Sequence, residues 1–162
     1  MPKPYDAVLK FLPEEFRKDW SYFLGVDRSV PVTVIDADVS TVSSSADKVL
    51  RVEEPDPWIL NLEFQTSYDA LLGRRLLRYN VLLWDRHSIP VRSVAILLRP
   101  EADGREMTGR VEERLPWQQV NLRFEYEVIR LWELSPEVIL AGGLGTLPLL
   151  PLTNVKRSEL PG

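Results

Sequence analysis

Apolar residues along this chain recur first at helical and then at strand spacing, and the changes of period mark its elements. Residues 5–24 read as one or two helical pieces interrupted near Pro13, where Glu14 and Glu15 suit a new helix's first turn. Val32-Thr-Val-Ile predicts a strand, followed by the turn-prone Ser43-Ser-Ser. Two β-rich runs, residues 47–52 and 58–65, flank a short Pro-containing turn and predict a hairpin. Residues 68–86 carry the clearest helical pattern: Leu72, Leu76, Tyr79 and Leu83 share a stripe, Ser67 suits the cap and Asp69 the dipole. Residues 91–98 form a near-continuous apolar run, the mark of a strand covered on both faces. Leu122, Phe124, Tyr126 and Val128 alternate with Arg123, Glu125 and Glu127, which predicts a half-exposed strand. Ser135-Pro-Glu starts a short helix that Gly142-Gly143 stops. The pattern divides the chain into a domain over residues 1–143 and an apolar, proline-rich segment over 144–162, expected to begin a further region.

Composition narrows the chemistry. At 162 residues a single α/β domain is the default. Cysteine is absent, which excludes disulfides, thiolate zinc sites and cysteine nucleophiles. The lone histidine, His87, excludes multi-histidine metal sites; it follows Arg86 near a helix end, where it is expected to cap or pack. A metal here must be held by oxygen ligands, which favours magnesium, manganese or calcium. No apolar run reaches membrane-spanning length and the N-terminus lacks a signal pattern, so a cytoplasmic protein with no membrane partner is expected. The net charge of −4 is the wrong overall sign for a polyanion binder, so a nucleic-acid surface must be a local patch.

The hairpin carries the candidate chemistry. Centred on Pro55, its register sets Asp47 opposite Glu63. Facing residues on antiparallel strands have Cβ atoms roughly 4.5–5.5 Å apart, and two carboxylates at that separation repel. A divalent cation between them converts the repulsion into a binding site. Gln65 lies two residues on from Glu63, on the same face. The other face carries Leu50, Val52, Trp58, Leu60, Leu62 and Phe64, broken only by Lys48. The plainer alternative makes Asp47 the start of a strand and Glu63 an exposed strand residue, and spacing alone does not decide between the two.

The wider text bears on that choice. Ala46-Asp-Lys-Val-Leu-Arg-Val, Leu62-Glu-Phe-Gln-Thr-Ser and Arg75-Leu-Leu-Arg-Tyr, in that order, resemble the recombination-promoting nuclease/transposase family of the PD-(D/E)XK nuclease superfamily. Tyr5-Asp-Ala-Val-Leu-Lys-Phe is similar to that family's opening helix. The resemblance is strongest over residues 6–98 and continues more weakly to about Pro148. It implies a restriction-endonuclease-like α/β fold, a central mixed β-sheet flanked by α-helices. In the superfamily, an Asp on one strand and an acid on the next bind magnesium, and a Lys two residues on positions and activates water. The resemblance therefore implies metal ligation by Asp47 and Glu63, with Gln65 at the Lys position, where this family itself tends to carry Gln. Glutamine brings no charge, but its amide can orient water, so more of the electrostatic work falls on Mg2+ or Mn2+.

Several residues carry both a functional and a plainer reading. Lys10 on the first helix and Arg51 on the face of Asp47 are candidate substitute cations, whereas Lys48 should point away. Asp6 could reach the site, as the resemblance implies, or be solvated. Arg75 and Tyr79, four apart, occupy positions where related nucleases carry site residues; otherwise Tyr79 is core and Arg75 an ion-pair partner. Arg74, Arg78, Arg86, Arg92 and Arg99 are candidates for a phosphate patch or ordinary surface. Trp84, Trp117 and Trp132 read as core or interface, and Gly142-Gly-Leu-Gly as a helix stop. The expectation is a metal-dependent DNA endonuclease, for which a homodimer would suit cutting two strands; the alternative is an inactive nuclease-fold module binding DNA or protein.

Overall fold

The computed structural model describes residues 4–35 and 48–154, with side chains from residue 8 onward. Two helices, α1 (Pro4–Glu15) and α2 (Arg17–Phe23), lead into β1 (Val32–Val34), β2 (Lys48–Val52) and β3 (Trp58–Gln65). Helix α3 (Leu72–His87) then crosses to β4 (Val91–Leu97). Next come β5 (Arg110–Arg114), β6 (Val120–Glu125), β7 (Glu127–Arg130) and α4 (Pro136–Gly142), with 3-10 helices at Pro100–Ala102, Leu131–Glu133 and Leu147–Leu152. Strands β1, β2 and β3 are successive antiparallel neighbours, and β4 and β7 continue the sheet in parallel, in the order β1-β2-β3-β4-β7. The chain is therefore mixed α/β, a five-stranded mixed sheet flanked by helices. A parallel neighbour for β3 needs a crossover, and α3 supplies it.

The hairpin register is the one that symmetry about Pro55 predicts, from Val52 facing Trp58 to Lys48 facing Leu62. Its even-numbered face packs against α1, α2, α4 and the last 3-10 helix through Leu9, Trp20, Leu50, Leu60, Ile139 and Leu149. Trp20 sits at the centre of this layer, edge-on to Phe64, with its indole N–H donating to the Gly145 carbonyl at 2.9 Å. The segment after α4 is tied down as well. Asp19 accepts from the Gly145 amide at 3.0 Å, and Gly143, at φ +98°, leaves room where a Cβ would meet that carboxylate at 2.7 Å. The odd-numbered face is more apolar than the sequence led us to expect. Val49 and Ile59 are fully buried beneath α3 with Tyr79 and Leu83.

Two boundaries differ from expectation. Pro13 lies inside α1, whose last turn holds Glu14 and Glu15; the break comes at Phe16 (φ −109°, ψ 42°). Helix α3 starts at Leu72 rather than 68, without a cap from Ser67. Asp69 instead accepts from the Leu71 amide at 2.9 Å and binds Arg75, which holds residues 69–71 in a turn ahead of the helix. The stripe Leu72, Leu76, Tyr79, Leu83 is buried as predicted, and β4 is covered on both faces over residues 94–97. The alternation through residues 122–128 is real but serves two sheets. β6 pairs with β5 in a separate ribbon, the chain pivots at Tyr126, whose amide donates to the Gly109 carbonyl at 2.9 Å, and β7 joins the main sheet. The tryptophans divide: Trp132 packs on a core cluster, while Trp84 and Trp117 are 59% and 68% exposed and are not core. Among the described residues no helix is long and apolar enough to cross a membrane.

Leu60 is fully buried on the central strand, between β2 and β4. Leu60→Ala is expected to cost about 2–5 kcal/mol in urea denaturation. A loss below about 1 kcal/mol would mean that this layer is not close-packed.

Candidate active site

Strand β3 ends with Glu63 and Gln65 on the face turned towards α3, and the loop over residues 66–71 folds the first turn of α3 back over that end. Glu63 is 5% exposed, so it is not the exposed strand residue of the plainer reading. A carboxylate taken out of water needs a positive partner, and Arg75 provides it. Its Nε donates to Glu63 Oε1 at 3.0 Å and its Nη2 lies 2.9 Å from the same oxygen, while Nη1 reaches back to Asp69 Oδ2. Burial works against the Arg75 charge, but the Glu63 charge and the hydrogen bonds of both acids outweigh it and hold the guanidinium firmly protonated. Burial likewise works to raise the Asp69 carboxyl. The Arg75 hydrogen bond, helped by the Leu71 amide and the Arg75 charge, wins and leaves it below its usual range.

Beside this pair a cleft of about 240 Å3 opens between α1 and the end of β3, lined by Leu9, Lys10, Glu63, Gln65, Thr66 and Ser67. Four of the sequence candidates thus come together: Lys10, Glu63 and Gln65 in the cleft, and Arg75 on Glu63. Asp47 lies outside the described residues, and Asp6 falls in the first turn of α1 with its side chain outside them. Arg51 is held by Glu53 at 2.9 Å, and Lys48 points to the other layer, where it binds Glu14 at 2.8 Å. Tyr79, 2% exposed in the cluster beneath α3, takes the core reading. Arg74 is paired with Glu113 and Arg78 is exposed, both on α3. Arg92 binds Glu127 and the Leu24 carbonyl. His87 is half-buried at the end of α3; burial first, then Arg86 and Arg51, hold its imidazole below the usual value. A larger concavity of about 830 Å3 lies elsewhere, between β7 and the ribbon, but its charges are paired off: Arg130 with Asp103, Arg110 with Glu125, Glu112 with Arg114 and Arg123.

Among the described residues no three acids or histidines are grouped as a complete metal shell. The donors at the end of β3 nonetheless fit a hard divalent ion in kind. Glu63 and Gln65 offer a carboxylate and an amide oxygen on one face, and the burial of Glu63 already demands a positive charge beside it.

One residue escaped the sequence reading. Asn61, on the same face of β3 as Glu63, is fully buried, and neither its Oδ1 nor its Nδ2 has a hydrogen-bond partner. Each such group costs about 1–3 kcal/mol. The signal was a lone amide inside the apolar run Trp58-Ile-Leu-Asn-Leu. With the geometry in place, comparison with known families, characterised proteins and solved structures finds no match.

Arg75→Met strands a buried carboxylate and is expected to cost up to about 3 kcal/mol at neutral pH. The folded-state carboxyl of Asp69 sits below its ordinary 3.8. Its contribution is therefore present above that value and lost as pH falls through the lower folded one. Urea melts at pH 7 and pH 3 should show the gap between wild type and variant narrowing in acid. A gap independent of pH would mean that Arg75 acts through packing alone.

Proposed function

We propose that the chain is a metal-dependent DNA endonuclease of restriction-endonuclease-like architecture, hydrolysing phosphodiester bonds in the cleft at the end of β3. The observation that carries this reading is the hairpin register. Continued one pair beyond Lys48 and Leu62, it would set Asp47 opposite the buried Glu63. Two carboxylates facing each other there would repel, beyond what the Arg75 guanidinium on Glu63 offsets, and a divalent cation would relieve that repulsion. Asp47 and Glu63 would hold Mg2+ or Mn2+, with Gln65 beside them. When bound, such an ion supplies Lewis acidity towards a phosphate oxygen and lowers the pKa of water.

The chain's own groups do the rest. Gln65, with an amide that both donates and accepts, orients the attacking water in the cleft. Lys10 and Arg75 bring positive charge to the same cleft, which compensates for the missing Lys of the superfamily pattern. Arg74 and Arg78 on the exposed face of α3 give the DNA backbone a local contact on an acidic protein. A homodimer would place two such clefts on two strands.

A second reading is an inactive module that keeps this architecture and binds DNA or protein. The position of Arg75 favours it, since a guanidinium already neutralises Glu63. Purified protein is expected to nick plasmid DNA in Mg2+ or Mn2+, and Asp47→Ala or Glu63→Gln to lower the rate by roughly a hundredfold or more. Cleavage that persists in Asp47→Ala would refute the site. Wild-type protein that retards DNA in a gel without cutting it would favour the inactive module.

A further inference from the structure

The face of β3 and β4 beneath α3 is divided. Leu72, Leu76, Ala95 and Leu97 form one apolar cluster, and Val49, Ile59, Tyr79 and Leu83 another. Between them runs a polar row. Asn61 stands level with Ser93 on β4, and Asn80 of α3 donates to Ser93 Oγ at 3.2 Å and to the Val91 carbonyl at 2.8 Å. Ser93 and Asn80 are thereby satisfied; Asn61, 0% exposed, is not. The residue facing it on β2 is Val49, which offers nothing polar. Leucine has the same branched outline of four side-chain heavy atoms, with bulkier apolar ends, and matches the character of both apolar clusters, so the fold gains nothing from an unpartnered amide here.

What the amide can serve is its neighbour. Glu63 follows two residues on, roughly 6.6 Å along the strand and on the same face. That spacing lets an amide and a carboxylate meet directly or through one water. We propose that Asn61 is a positioning residue for Glu63: it holds the carboxylate from behind when a divalent cation draws it away from Arg75, at the cost of stability in the cation-free protein. The inference rests on the cation-binding reading of Glu63 and adds to it a residue that supports the ligand without touching the cation. Removing a partner that orients a ligating side chain typically weakens metal affinity 10–100-fold.

The experiment compares wild type, Asn61→Leu and Asn61→Ser, measuring Mn2+ affinity by titration calorimetry and thermal midpoint without metal. Asn61→Leu is expected to bind Mn2+ at least roughly tenfold more weakly, while its midpoint holds or rises by about 2–8 °C. Asn61→Ser, which keeps a short donor, should recover part of the affinity. Affinity equal to wild type in Asn61→Leu would overturn the proposal. So would a midpoint lowered in both the Leu and the smaller Ser variant, because the amide, and not crowding by leucine, would then be supporting the structure itself. Wild-type protein that takes up no Mn2+ would bring down the cation reading of Glu63 and this inference with it, an outcome distinct from wild-type binding that the Leu variant leaves unchanged.

Discussion

A carboxylate sunk at the end of a central strand has to be answered by a positive charge, and that requirement joins β3 to α3. Arg75 answers it from the first turn of the helix, with Asp69 steering the guanidinium from the other side. Water screens the group little, so the attraction is stronger than at the surface and the penalty for losing it is larger. Helix α3 is thus positioned by more than its apolar stripe. The stripe fixes which face meets the sheet, while the ion pair fixes how far along β3 the helix begins. Any cation that Glu63 receives must compete with, or be accommodated beside, this guanidinium.

The same region explains why the site sits on rigid elements. Glu63 and Gln65 extend a strand that is paired with β2 up to Leu62 and with β4 as far as Gln65, and the cleft's far wall is α1, packed through Leu9 and Leu12. A constellation carried by packed strands holds its geometry better than one carried by loops. The exception is the loop over residues 66–71, whose turn is held by the Asp69 side chain. Asp69 therefore serves both the turn and the pair.

How much of this was legible in the chain follows from the range of each interaction. The hairpin register could be read because period-2 alternation and a proline turn are local signals, and burial of Leu50, Leu60 and Leu62 on one face admits no slip. The α3 stripe could be read for the same reason. The start of α3 could not, since Asp69 looked like a first-turn acid until Arg75 claimed it. Nor could the split at Tyr126. Residues 122–128 alternate without interruption, and only the arrival of β5 against β6 and β4 against β7 divides them. Arg75 was legible as a candidate from the resemblance, but its partner was not, because nothing local connects residues 63 and 75. Asn61 was visible as a polar interruption yet silent about its meaning. An amide on a strand is satisfied or orphaned according to neighbours from β2, β4 and α3.

Charge adds a further constraint on the proposed partner. Several arginines are already committed: Arg92, Arg110, Arg114, Arg123 and Arg130 each hold an acid. Arg74 shares its charge with Glu113 across a 3.1 Å contact between two exposed side chains, a pair cheap to exchange for a phosphate. Arg78 is exposed one turn further along α3. For a DNA partner these committed arginines offer fewer backbone contacts than their number suggests. Each contact adds about 0.9 to the dependence of log affinity on log salt, so the salt slope reports how many of them form. An acidic protein, at a net charge of −4, gains little from long-range electrostatic capture of DNA. The proposed activity then requires that much of the affinity arise at the cleft itself, where a cation held by Glu63 would add its charge to those of Lys10 and Arg75 and attract phosphate.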